Sequence, residues 1–154
     1  MSESKPRPKQ YFYKSTINWQ GARKGLVTSL GKPDFLVAPP PEFKGYVGFW
    51  TPEDLLVAAV NSCLMMTFLF YMEREGLKLL SYLCEAEGIL EMVDRKLMVT
   101  QVKLIPRISV DSSCDLEKIE TLFKLAEENC FISNSIKAKV EVIPEINKEN
   151  RPPQ

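Results

Sequence analysis

The sequence predicts an α+β chain, and three observations carry that prediction. One long segment, Thr51 to Gly76, reads as a helix that is apolar almost all round. A second, Leu116 to about Asn129, reads as an amphipathic helix. The stretches before, between and after them alternate and turn back as strands do. At 154 residues the chain is long enough to bury a core of its own as one domain. The expected organisation is a mobile arm over residues 1–10, a single domain over 11–146 and a polar, Pro-ended tail over 147–154.

Tyr11 to Trp19 alternates well enough for a strand. Gln20 to Gly25 forms a turn carrying Arg23 and Lys24, and Leu26 to Leu30 returns as the second strand of a hairpin. Gly31 to Trp50 is the longest irregular stretch. A short strand fits Phe35 to Val37, but Pro39, Pro40 and Pro41 exclude regular structure beyond it. Most of the aromatics there (Phe35, Phe43, Tyr46, Phe49 and Trp50) are expected to plug the loop onto the core, with some walling an apolar pocket.

The long helix opens with Thr51 as a candidate N-cap, Pro52 at the first helical position, and Glu53 and Asp54 in the first turn, where the orphan N–H groups favour carboxylates. Gly76 stops it. A helix apolar on every side belongs in the middle of a structure. Its apolar run approaches the roughly 20 residues of a membrane span. Asn61, Ser62 and Thr67 interrupt that run and no basic flank orients it, so a buried soluble helix is expected.

Leu77 to Met92 reads as one strand or two, Asp94-Arg95 as a turn, and Lys96 to Val110 as a long strand in which Pro106 marks an edge or a bulge. Caps for the second helix lie within Ser112 to Asp115. Its apolar stripe runs through Leu116, Ile119, Phe123 and Ala126 to Cys130, which ends the helix on its buried side. Ile136 to Val142 alternates as a half-exposed closing strand.

Composition narrows the function. Lys plus Arg equals Asp plus Glu at 20 each, so no net field draws nucleic acid or an anionic membrane. The first ten residues lack the apolar run of a signal peptide, which points to the cytoplasm and to reduced cysteines. The absence of histidine removes Cys-His and Ser-His machinery and most imidazole metal sites. Cys63, Cys84, Cys114 and Cys130 show no CxxC spacing, so no metal or other bound cofactor is expected. Taken alone, Cys63 on the apolar helix and Cys130 on the apolar stripe also fit buried cysteines packed as small hydrophobes.

A resemblance gives these two cysteines a chemistry. The segment from Thr51 to Cys63, TPEDLLVAAVNSC, resembles the PEELLxAAxxxC signature of the OsmC/Ohr family of osmotically induced and organic-hydroperoxide-resistance proteins. Ala126 to Ile136, AEENCFISNSI, resembles that family's A-x-x-x-C-P-x-S segment, with Phe131 where the family often has proline. The order of elements agrees over roughly residues 11 to 145. The resemblance implies an OsmC-like fold, with curved antiparallel sheets around long central helices in an intertwined homodimer. It further implies a thiol-dependent peroxidase that reduces organic hydroperoxides to alcohols, with an external dithiol as reductant. Carried over, Cys63 is the peroxidatic cysteine and Cys130 the resolving one. Arg23, in Ala22-Arg23-Lys24-Gly25, is the activating cation, with Lys24 as the fallback, and Glu53 is the carboxylate that orients it. Two further readings share the fold: a non-catalytic dimer that binds an apolar small molecule, and a thiol redox sensor.

Physical chemistry adds two expectations to these roles. Apolar burial raises a thiol pKa, and a mid-helix cysteine lies beyond the reach of the helix N-terminal dipole, so a guanidinium is expected to hold Cys63 ionised. Glu53 and Cys63 lie ten residues apart, about 15 Å along a straight helix, too far for one arginine to touch both. Either the helix breaks before Cys63, or Glu53 lies outside its regular part, or the contact crosses subunits.

Overall fold

The computed structural model describes residues 8–150, which form two compact units divided between Pro52 and Glu53. Most of the expected N-terminal arm, residues 1–7, and the last four residues of the expected tail, 151–154, lie outside the described residues.

In the N-terminal unit, β1 (Thr16–Trp19), β2 (Gly25–Thr28) and β3 (Phe35–Val37) form an antiparallel sheet in that order. The hairpin turn closes with the Gln20 N–H donating to the Lys24 carbonyl at 2.9 Å, and Gly21 and Ala22 both take positive φ. Both hairpin strands are shorter than the alternation suggested. The ladder ends at Thr16 and Thr28, and beyond it the Ser29 hydroxyl donates to the Lys14 carbonyl in place of backbone pairing. Tyr11, Phe12 and Tyr13 are exposed. Within the proline run, Pro41–Phe43 makes one 3-10 turn.

The loop aromatics gather partly around the hairpin turn rather than serving wholly as plugs. Tyr46 and Phe49 meet edge to face at 6.0 Å between centroids, and Lys24 Nζ lies 4.3 Å and 5.0 Å from their rings. Trp50 remains half exposed.

The C-terminal unit is built on α1 (Pro52–Arg74), which runs without a break. Its end follows the predicted logic: Gly76 adopts φ +65°, its N–H donates to the Glu73 carbonyl and the Leu77 N–H to that of Met72, satisfying two orphan carbonyls. Burial is narrower than composition implied. Only the stripe Val60, Leu64, Phe68 and Met72 is fully buried, whereas Met66 and Phe70 are exposed. Within the C-terminal unit, α1 is therefore covered chiefly on the side of this stripe.

After α1 comes a long hairpin of β4 (Leu79–Val93) and β5 (Lys96–Asp111), a single strand on each side. Asp94 and Arg95 both take positive φ, as a two-residue turn with the twist of the flanking strands requires. Then follow α2 (Leu116–Asn129), β6 (Lys139–Val142) and β7 (Glu145–Glu149). Asp115 caps α2 by accepting from the Glu117 N–H at 3.1 Å.

Both β6 and β7 run parallel to β5, so this sheet is mixed, unlike the antiparallel one in the N-terminal unit. Residues 147–149, assigned to the tail from their polarity, are strand residues paired with Ser109 to Asp111. Pro106 is neither on an edge strand nor exposed. It lies buried in the central strand β5, at the gap where β6 pairing ends at Leu104 and β7 pairing begins at Arg107. Its missing N–H falls where the ladder changes partner.

The core lies where the α1 stripe meets Ile119, Leu122, Phe123 and Ala126 of α2 and Val102, Leu104, Ile108 and Val110 of β5. Leu122 takes the place on the stripe that the periodicity gave to Leu116, which is exposed. Phe68 and Phe123 stack at 3.9 Å with ring planes 9° apart, fastening α1 to α2. Gly88 of β4 lets α1 approach the sheet, because a Cβ there would lie 2.5 Å from Val57 Cγ2.

Two stability measurements check this packing. Phe123→Ala is expected to lower the unfolding free energy in urea by about 3–5 kcal/mol. Gly88→Ala, which forces Val57 away, is expected to cost about 1–3 kcal/mol. An unchanged denaturation midpoint in either variant contradicts the packing described.

Candidate thiol site

Cys63 lies on the face of α1 one residue round from the buried stripe. Positions three, four and seven residues apart share a helix face, so Ala59, Met66, Thr67 and Phe70 share it with Cys63. These side chains, with Phe131 and Ile132 from the segment after α2, line an open cavity of about 570 Å³. The sulfur of Cys63 is half-buried at its wall. The lining is almost wholly apolar and includes the exposed Met66, Phe70 and Phe131.

Cys130 is the residue that terminates α2, and it is fully buried. The chain then turns through Phe131 and Ile132 into a 3-10 turn at Ser133–Ser135, held by the Asn134 N–H donating to the Cys130 carbonyl at 3.0 Å. This turn directs successive backbone N–H groups at the two sulfurs. Those of Phe131 and Ile132 reach Cys63, and that of Ser133 reaches Cys130. Consecutive N–H groups converging on one point form a nest for an anion. The Ser133 hydroxyl adds a bond of 3.1 Å to Cys130 Sγ.

The two thiols lie within hydrogen-bonding reach of each other, and their surroundings push them in opposite directions. At Cys63, burial opposes ionisation. The Ile132 N–H, the Cys130 thiol, the Thr67 hydroxyl and the Phe131 N–H together outweigh it and hold the pKa below the ordinary thiol value. At Cys130, burial dominates and the neighbouring Cys63 thiolate adds to it, so its pKa is raised despite the Ser133 donors. Of the two sulfurs, Cys63 is thus the one that ionises first, its thiolate accepting a hydrogen bond from a protonated Cys130.

Of the four residues singled out from the sequence, the structure brings Cys63 and Cys130 together. Arg23 lies in the N-terminal unit, where its guanidinium donates to the Phe43 carbonyl at 2.8 Å. Lys24, the fallback cation, lies over Tyr46 and Phe49. Glu53 sits in the first turn of α1, with Oε2 buried and unpartnered among the described residues. Because α1 is continuous from Pro52, two of the three ways of reconciling Glu53 with Cys63 are excluded: the helix is not broken before Cys63, and Glu53 is not outside it. A second source of stabilisation stands beside the guanidinium expected at Cys63. Backbone donors and the second thiol lower the Cys63 pKa within the C-terminal unit.

Thr67, Ser133 and the two N–H groups carry no flag in the sequence as ligands of sulfur. Helical spacing from Cys63 could have found Thr67, Met66 and Phe70. The sequence points instead to the loop aromatics as walls of an apolar pocket.

Comparisons with known proteins place this arrangement. The family model described as OsmC-like protein matches residues 45–145. The uncharacterised protein YmaD of Bacillus subtilis is 32% identical over 131 residues, which cover 81% of this chain and 86% of that protein. An OsmC-like protein of unknown function from Vibrio cholerae superposes with a TM-score of 0.80 at 27% identity, over 88% of this chain and 99% of that one. The organic hydroperoxide resistance protein OhrB of Bacillus subtilis superposes with a TM-score of 0.63 at 22% identity, over 87% and 98%, a likeness of fold alone. With two-thirds of its length matched by the family model and the fold shared, the chain belongs to the OsmC-like family.

Proposed function

We propose that this protein is a thiol-dependent peroxidase that reduces organic hydroperoxides, with Cys63 as the attacking sulfur and Cys130 as the resolving one. The observation that carries the reading is the pair of thiols in contact, one favouring the thiolate and the other keeping its proton, beside an apolar cavity. The family includes peroxidases, which supports it.

In this reading the Cys63 thiolate attacks the outer oxygen of ROOH. The O–O bond breaks, sulfur is oxidised to a sulfenic acid, and the alkoxide leaves. No histidine is available to protonate that alkoxide. The proton of Cys130 is the nearest named source, and its transfer yields the alcohol and a Cys130 thiolate together. That thiolate attacks the Cys63 sulfenic sulfur, forming the disulfide and expelling hydroxide. An external dithiol restores both thiols. Met66, Phe70, Phe131 and Ile132 favour a peroxide with an apolar R group over hydrogen peroxide.

Arg23 and Glu53 enter from the resemblance, as the cation that stabilises developing negative charge and the carboxylate that orients it. The exposed Met66 and Phe70 on α1 support a homodimer as the working form, and the balanced charge supports a protein without a nucleic-acid or anionic-membrane partner.

Three outcomes test the reading. Cys63→Ser is expected to abolish hydroperoxide consumption with a dithiol, while Cys130→Ser abolishes the intramolecular disulfide seen by mass spectrometry. Full activity in Cys63→Ser contradicts the assignment. In single-turnover assays the rate of oxidation should rise with pH as Cys63 ionises, with a midpoint below the value of about 8.5 at which a free thiol is half ionised. A midpoint at or above that value contradicts the lowered Cys63 pKa. Arg23→Ala is expected to lower turnover while leaving the thiolate fraction of Cys63 nearly unchanged, and undiminished turnover removes Arg23 from the mechanism.

A further inference from the structure

The disulfide formed in this cycle has two sulfurs that differ in access and in what receives them. Cys130 is fully buried, and nothing places its sulfur on the wall of the 570 Å³ cavity. Cys63 is on that wall. Thiol–disulfide exchange is an attack along the S–S axis in which the sulfur not attacked departs as thiolate, and it goes faster when the departing thiolate is stabilised. Two donors already converge on Cys130 Sγ: the Ser133 hydroxyl at 3.1 Å and the Ser133 backbone N–H. Ser133 itself is anchored in the 3-10 turn that directly follows Cys130.

We propose that the reductant attacks Cys63, from the cavity that admits the peroxide, and that Cys130 is the leaving thiolate, received by Ser133 as a positioning residue. The inference rests on the peroxidase reading for the physiological origin of the disulfide, and it adds a direction to its reduction and a role for Ser133.

The first thiolate of the dithiol bonds to Cys63 Sγ, the S–S bond breaks, and its electron pair departs on Cys130 Sγ, where the Ser133 hydroxyl and N–H donate to it. The second thiol of the reductant, deprotonated, then attacks its own partner sulfur in the mixed disulfide. Cys63 is released as a thiolate into the nest of Phe131 and Ile132, and the reductant leaves as a cyclic disulfide. The proton lost by that second thiol ends on Cys130. Two electrons have passed from dithiol to protein. The end state has Cys63 ionised and Cys130 protonated, ready for the next peroxide. One cavity thus admits oxidant and reductant in turn, and competition between them follows from the shared site.

The test forms the disulfide with diamide, so that it does not depend on peroxide. The oxidised protein is mixed with 2-mercaptoethanol, quenched in acid at short times, alkylated with N-ethylmaleimide and mapped by peptide mass spectrometry. The mercaptoethanol adduct is expected on the Cys63 peptide and the maleimide on the Cys130 peptide. An adduct on Cys130 overturns the proposal, as does failure of diamide to join Cys63 and Cys130. The second-order rate of reduction is then compared across variants. Ser133→Ala is expected to slow it roughly fivefold, and Ser133→Thr, which keeps a hydroxyl, to restore most of it. Equal rates in all three remove Ser133 from the step. Reduction with this polarity in a protein that consumes no hydroperoxide overturns the peroxidase reading alone.

Discussion

The candidate site depends on a convergence of hydrogen-bond donors on one sulfur. Cys63 sits in the middle of an apolar helix, where burial opposes charge and the helix dipole gives no help. What offsets burial is the short turn after α2, whose backbone N–H groups at Phe131 and Ile132 reach the sulfur while Cys130 offers its thiol proton. The turn reaches Cys63 only because α2 is fastened to α1. The Phe68–Phe123 stack lies five residues after Cys63 on one helix and seven before Cys130 on the other, among fully buried aliphatic neighbours. Core packing and thiol chemistry are therefore one arrangement, and a cavity in the core would loosen the site as well as the fold.

The opposite shifts of the two cysteines give the pair a direction. A buried thiol beside a thiolate keeps its proton, so Cys130 is unreactive until that proton leaves. In the proposed cycle, peroxide attack at Cys63 creates the base that removes it. Resolution is thereby tied to oxidation, in a chain with no histidine to do the same work. In the same proposed cycle Ser133, hydrogen-bonded to Cys130 Sγ, acts on the return stroke, when Cys130 again carries charge.

Much of this was legible in the sequence, because the signals were local. Pro52 with Glu53 and Asp54 marks the start of α1, Gly76 its stop and Asp115 the start of α2, each through a backbone group needing a partner or a positive φ. The two cysteines were found through motifs of fixed spacing. What failed depends on distant partners. Pro106 was assigned to an edge or bulge because proline cannot donate, yet the ladder changes partner opposite it, which only the register of Leu104 and Arg107 reveals. Residues 147–149 are polar enough for a tail, but β5 offers them a free flank. An all-apolar helix suggested burial on every side, whereas Met66 and Phe70 face outward in one chain.

Backbone donors are the hardest feature to read, since almost every residue has one. One signal was present: Phe131 stands where the family often has proline, and a proline there would have no N–H to give. The departure supplies a donor to the Cys63 sulfur and an aromatic wall to its cavity.

The central claim is that the turn after α2 holds the pKa of Cys63 below that of a free thiol. The most direct measurement is a pH titration of the ultraviolet thiolate absorbance of the reduced protein, taken as the difference between wild type and Cys63→Ser. A midpoint clearly below that of a free cysteine, about 8.5, shifted upward in Phe131→Pro, is the result this account predicts. A midpoint at or above the free value in the wild type would contradict it.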